Sequence, residues 1–197
     1  PVEASVRSIK LLGGAGSTLA KELGRTGVPL VRLNTAGTPE LLFIDGVHPP
    51  DNDAGPTINK VLDQGGTVVI WGVSHDGAAA LNALLPAAIE ITDRTASALQ
   101  QEIPDKLTES IKASDLYFSE SRPAEIITYR LTGPLVAQSA VLLQEASTDW
   151  LKWNRQPEYA KTAMIIRSER EKQLPGAAFI VKNMGKGRLI VTTLPAA

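Results

Sequence analysis

The stretch Gly65-Gly66-Thr67-Val68-Val69-Ile70-Trp71-Gly72-Val73-Ser74-His75-Asp76-Gly77 constrains this chain more than any other. The Gly-Gly pair ends a helical pattern. Five residues rich in β-branched side chains then predict a buried strand. A small-residue turn carrying Ser74, His75 and Asp76 follows, and Gly77 opens an alanine-rich helix. Strand, sharp turn and helix in that order belong to an α/β sheet. Such folds place reactive groups and ligands beyond the carboxyl end of a central strand.

The residues before this stretch support the same architecture. Ser8 to Leu12 reads as a first strand, Gly13 to Gly16 as a tight turn, and Ser17 as the N-cap of a helix from Thr18 to Arg25. Gly13-x-x-Gly16 lacks both the glycine spacing of a dinucleotide fingerprint and the Lys-Ser/Thr of a P-loop, so a plain turn is expected there. Val28 to Leu33 and Glu40 to Asp45 are the next strands. The second is almost continuously apolar, which predicts burial on both faces. Pro56 starts a helix whose Ile58, Val61 and Leu62 share one face. The alternation predicts a mostly parallel central sheet with helices on both sides, a three-layer α/β sandwich.

Beyond the elbow, a helix from Ala78 to Leu85 and an extended piece from Ala87 to Thr92 are expected. Between Asp93 and Gly133 the pattern weakens, with an extended piece from Ile126 to Leu131. Ala140 to Gln144 is a further strand, and a polar loop carrying Trp150 and Trp153 runs to about Lys161. Ala177 to Lys182 and Arg188 to Thr193 predict a closing β-hairpin around Asn183 to Gly187. All 197 residues read as one domain.

Composition narrows the partners. A formal net charge of −1 gives no electrostatic reason to expect nucleic acid or an anionic membrane. No apolar run reaches the roughly 18 to 20 residues of a membrane span. Cysteine is absent, which removes disulfides, thiolate metal sites and cysteine nucleophiles. The start at Pro1, without Met or a leader pattern, is that expected of a mature or excised chain.

Four groups of residues could carry chemistry. Ser74 on the elbow could be a nucleophile with the following amides as oxyanion donors, and its base would be His48 or His75, the two histidines present. Contiguity of Ser74, His75 and Asp76 does not make a triad, since neighbours on a turn point apart. Asp in the last position also breaks the Gly-x-Ser-x-Gly pattern, and a structural turn is the simpler expectation. Asp45, His48, Asp51 and Asp53 could attract a cation, but their spacing fits no Ca²⁺ loop and the prolines read as a rigid connector, so no metal is expected. Trp150, Trp153 and Tyr159 could stack on a sugar or simply pack against the sheet. Lys182, Lys186 and Arg188 read as a solvated hairpin tip.

The order of signals resembles a class I glutamine-amidotransferase-like domain. Phe43-Ile44-Asp45-Gly46 matches that fold's strand ending in Asp-Gly, and Asp63 through Gly72 matches the strand feeding its nucleophile elbow. Ser74 falls where the active amidotransferases carry cysteine, and no His-x-Glu pair appears near the C-terminal end. The resemblance thus implies a flavodoxin-like α/β member without amidotransferase chemistry. Leu107 to Phe118, Asp149 to Trp153, and Gly185 to Val191 resemble C-terminal accessory segments of bacterial family 2 glycoside hydrolases of the β-galactosidase type.

Together these imply a non-catalytic accessory domain, excised from a larger glycoside hydrolase, that serves packing, oligomerisation or substrate access. Its partners would be the parent enzyme's other domains, a second copy or carbohydrate. No cofactor is expected. With the absence of Cys, the resemblance suggests a periplasmic or extracellular setting. The rival readings are a serine hydrolase or acyl transferase using Ser74, and a carbohydrate-binding module using Trp150, Trp153 and Tyr159.

Overall fold

The computed structural model describes residues 9–13, 17–25, 27, 30–31, 40–96, 98–111, 127–146, 153, 155–172 and 176–195. Its first half follows the sequence pattern closely: β1 (Ile9–Leu12), α1 (Thr18–Arg25), β2 (Leu30–Val31), β3 (Leu41–Asp45), α2 (Gly55–Asp63), β4 (Thr67–Trp71) and α3 (His75–Leu84). Ser17 Oγ accepts the Ala20 amide at 3.2 Å, the expected cap of α1. Pro56 sits in the first turn of α2, where its missing N–H costs nothing.

The second half holds β5 (Glu90–Ala96), β6 (Ala98–Gln101), β7 (Ile127–Thr132), the single turn α4 (Pro134–Ala137), β8 (Ala140–Ala146), α5 (Glu158–Lys172), β9 (Phe179–Met184) and β10 (Gly187–Thr192). Two expectations need correction here. The polar loop ends earlier than expected, because α5 already begins at Glu158. The closing hairpin turns over only two residues, Gly185 and Lys186, with Met184 paired to Gly187.

Eight strands form one sheet in the order β2-β1-β3-β4-β10-β9-β8-β6. The five from β2 to β10 run parallel, and β9, β8 and β6 continue antiparallel. After β1 the chain steps to one side for β2, then back across β1 for β3. Crossovers keep one hand, so reversing the direction of travel moves the helix to the other face. Accordingly, Leu19 and Leu23 of α1 pack with Ile9, Leu11, Leu41 and Phe43. On the opposite face, Ile58, Val61 and Leu62 of α2, Leu81 and Leu84 of α3 and Leu135 of α4 pack on Leu42, Ile44, Val68, Ile70, Leu189 and Val191. The result is the three-layer α/β sandwich, closed by a C-terminal hairpin whose β10 lies in the middle of the sheet.

The layers are unequal. Leu42 and Ile44 of β3 are wholly buried, while Leu41 and Phe43 on the other face are only half-buried. Near-continuous apolar character therefore overstated burial on that face. A separate antiparallel pair, β5 with β7, joins the main sheet through mutual backbone bonds of Leu131 and Ala177 at 2.8 and 2.9 Å. Asn82 holds the turn after α3, donating to Ile89 O at 2.9 Å and accepting the Ile89 amide at 2.8 Å.

Candidate functional site

The carboxyl ends of β1, β3, β4 and β10 meet at one edge of the sheet. The reversal between β1 and β3 is a topological switch point, the place where open α/β sheets form their ligand crevices. The turns crowd together there. Gly46 N donates to Trp71 O at 2.7 Å, and Val73 N donates to Thr192 O at 3.0 Å. A Cβ on Gly46 would lie 2.7 Å from both Trp71 O and Val73 N, and one on Gly77 would collide with Gly46 O. Only glycine lets the β3 turn and the start of α3 approach this closely.

A cleft of about 280 Å³ opens at this point, walled by residues that include Asp45, His48, Trp71, Ser74, Tyr129 and Thr193. Asp45 is buried, and its Oδ1 accepts the amides of Val47 at 2.9 Å and His48 at 3.2 Å. Those bonds shape the loop after β3. His48 stands on the rim, its side chain 70% exposed, with Nδ1 3.8 Å from Asp45 Oδ2.

Ser74 stands at the N-cap of α3 with extended backbone, φ −131° and ψ 170°. It is buried, yet its hydroxyl caps no amide of α3 and makes no hydrogen bond among the described residues. Neither histidine bonds it. His75 turns outward instead, with Nε2 2.9 Å from Asp93 Oδ1 and its ring edge-on to Tyr129 at 5.0 Å between centroids. Contiguity of Ser74, His75 and Asp76 thus brings no hydrogen-bonded Ser–His pair. Trp71 Nε1 and Thr193 Oγ1 share the condition of Ser74 Oγ, buried and without a hydrogen-bond partner among the described residues.

The other sequence candidates lie elsewhere. Asp51 and Asp53 are exposed around a 3-10 turn at Asn52–Ala54. No three His, Asp or Glu side chains come together among the described residues. Trp150 lies outside the described residues, Trp153 is half-buried, and Tyr159 on α5 is 80% exposed. Lys182 of the hairpin donates to Gln138 Oε1 at 2.6 Å, so it is partly engaged rather than simply solvated. The aromatics at the cleft are Trp71 and Tyr129, which sequence reasoning missed. Trp71 was findable, as the last residue of the strand feeding the elbow. Tyr129 was not, because its position follows from the β5–β7 pairing, which sets it opposite Asp93, 36 positions earlier in the chain.

A second cavity, about 560 Å³, runs along the half-covered face of the sheet. Leu41, Phe43, Val69, Phe179, Ile190 and Leu194 line it. Among the described residues, α1 covers one flank, and the other is bounded by the turn at 106–111, where Ile111 packs on Leu99, Leu143 and Ala178.

No family model matches this sequence, and no curated protein matches it. Among solved structures it is similar to an exo-beta-1,4-mannosidase from Opitutaceae bacterium strain TAV5, at 12% identity and a TM-score of 0.46. The likeness covers 97% of this chain and 31% of the mannosidase, so the chain spans under a third of that protein's length. A likeness of that size carries no argument about fold or activity.

Proposed function

We propose that this chain is a non-catalytic accessory domain of a carbohydrate-active enzyme of the β-galactosidase type, and that it works by packing against a second apolar surface. The observation that supports this reading is the trough on the half-covered sheet face. A doubly wound sheet ordinarily buries both faces, and here the half-buried Leu41 and Phe43, beside the buried Val69 and Ile190, wall an apolar cavity of about 560 Å³ among the described residues. An apolar cavity on a sheet face is a place where a second apolar surface can pack. The surface it meets would be a parent hydrolase domain or a second copy. The carbohydrate assignment rests on the likeness of Leu107 to Phe118 and Gly185 to Val191 to glycosidase accessory segments.

Light scattering across a concentration series, with binding of an apolar dye read in parallel, tests the packing role. Self-association or dye binding should appear in the wild type and fall in a Leu41→Glu/Phe43→Ser double variant that keeps its circular dichroism. A wild type that stays monomeric at its highest soluble concentration and binds no dye overturns the reading.

A further inference from the structure

We infer that the cleft at the β1–β3 switch point is a binding site for one neutral polyhydroxy ring, a ligand of monosaccharide size. This goes beyond the packing role and does not depend on it: the trough and the cleft share Trp71 in their walls, but Asp45, Ser74 and Thr193 line the cleft and not the trough.

Three hydrogen-bonding groups lie buried without partners among the described residues, in side chains of residues that line one small cleft. They are Ser74 Oγ, with the residue 9% exposed, Thr193 Oγ1, with the residue 5% exposed, and Trp71 Nε1. Buried polar groups are nearly always satisfied, and these three belong to residues of one cavity wall, although each atom is itself closed to solvent in this conformation. Both hydroxyls sit on side chains with a single χ1 rotation, which lets a staggered turn offer them to a ligand. The N-terminus of the ten-residue helix α3 follows Ser74 in this wall, and Ser17, just before α1, also lines the cleft.

Charge decides the ligand class. A cleft of donors and helix N-termini alone would suit an anion. This one also contains Asp45, whose Oδ1 is committed to two amides while its Oδ2 makes no hydrogen bond among the described residues. A bound anion would face that carboxylate, whereas a hydroxyl can donate to it and accept from Ser74 or Thr193. Hydroxyls that each donate and accept, on a ring whose C–H edge can lie against Trp71 or Tyr129, describe a sugar. About 280 Å³ lies at the lower edge of small-molecule sites, enough for one ring and not for a chain.

The test follows indole N–H resonances in ¹⁵N-labelled protein, with Trp71 assigned by its loss in Trp71→Phe. Titrations use glucose, galactose and mannose, and separately acetate and sulfate. The expected result is a saturable shift of the Trp71 indole with at least one neutral sugar, with affinity weakened roughly tenfold in Ser74→Ala and in Thr193→Val, as loss of one hydrogen bond predicts. Both variants remove a group without a native partner, so the fold should survive; unchanged remaining indole signals verify it. No shift with any sugar at roughly 100 mM, a range covering even very weak ligands, overturns the inference. So does a shift produced only by acetate or sulfate, or sugar binding that both variants leave unchanged.

Discussion

Two turns end neighbouring central strands, and each carries a histidine, a carboxylate and a glycine, yet they are wired in opposite ways. The turn after β3 is satisfied from within, because the buried Asp45 takes the amides of Val47 and His48. The turn after β4 directs its polar groups away from one another, with Ser74 buried and unbonded and His75 held outside by Asp93. Similar residues therefore make a self-bonded loop in one place and unpartnered groups in the other. Composition of a turn says which groups are available; backbone direction says which of them can meet.

The contrast predicts a graded series of costs. Gly77→Ala should be the most damaging change, since its Cβ falls on Gly46 O, a backbone atom that cannot step aside without moving the β3 turn. A loss of about 3 kcal/mol is expected, read as a drop of roughly 6–12 °C in melting temperature for a chain of this size. An unchanged melt would mean that the two turns do not touch as described. Asp45→Ala comes next. It strands two amides at the cleft, and about 1–2 kcal/mol should be lost because water can reach part of that loop. Asp45→Asn keeps an acceptor oxygen and should recover most of that loss; equal losses would show that charge, not the amide bonds, carries the effect.

How much of this could be seen in the sequence depends on the range of the interactions involved. The helix over Thr18–Arg25 with its Ser17 cap, the strand from Leu41, and the Ile58, Val61 and Leu62 face of α2 were legible, because each follows from spacing within a few residues. The place of β10 beside β4 was not, since a hairpin's sequence states its own pairing and nothing about its outer neighbour. The same holds for β6 and for the β5–β7 pair. At the site, Ser74 and His48 line one cleft without a hydrogen bond between them among the described residues. The direction of His75 was set by Asp93, eighteen residues on, and so lay beyond any local pattern. The half-covered sheet face was hidden for the opposite reason: Leu41 and Phe43 look like core residues whatever covers them.

The two smallest effects belong to the turn after β4. Ser74→Ala should change stability by less than about 0.5 kcal/mol in either direction, because a buried hydroxyl without a partner contributes no bond to lose. A serine acting as the cap of α3 would instead cost about 1 kcal/mol on removal, so a denaturation curve separates the two states of the side chain. Asp93→Asn should matter least. The 2.9 Å contact to His75 joins side chains that are 49% and 85% exposed, and such pairs contribute between nothing and about 1 kcal/mol. The His75 ring also keeps its edge contact with Tyr129 when the carboxylate is gone. The expected shift is within about 0.3 kcal/mol, and smaller still in high salt, which screens exposed pairs. A larger, salt-independent loss would place His75 and Asp93 inside the wiring of the elbow and would erase the contrast between the two turns.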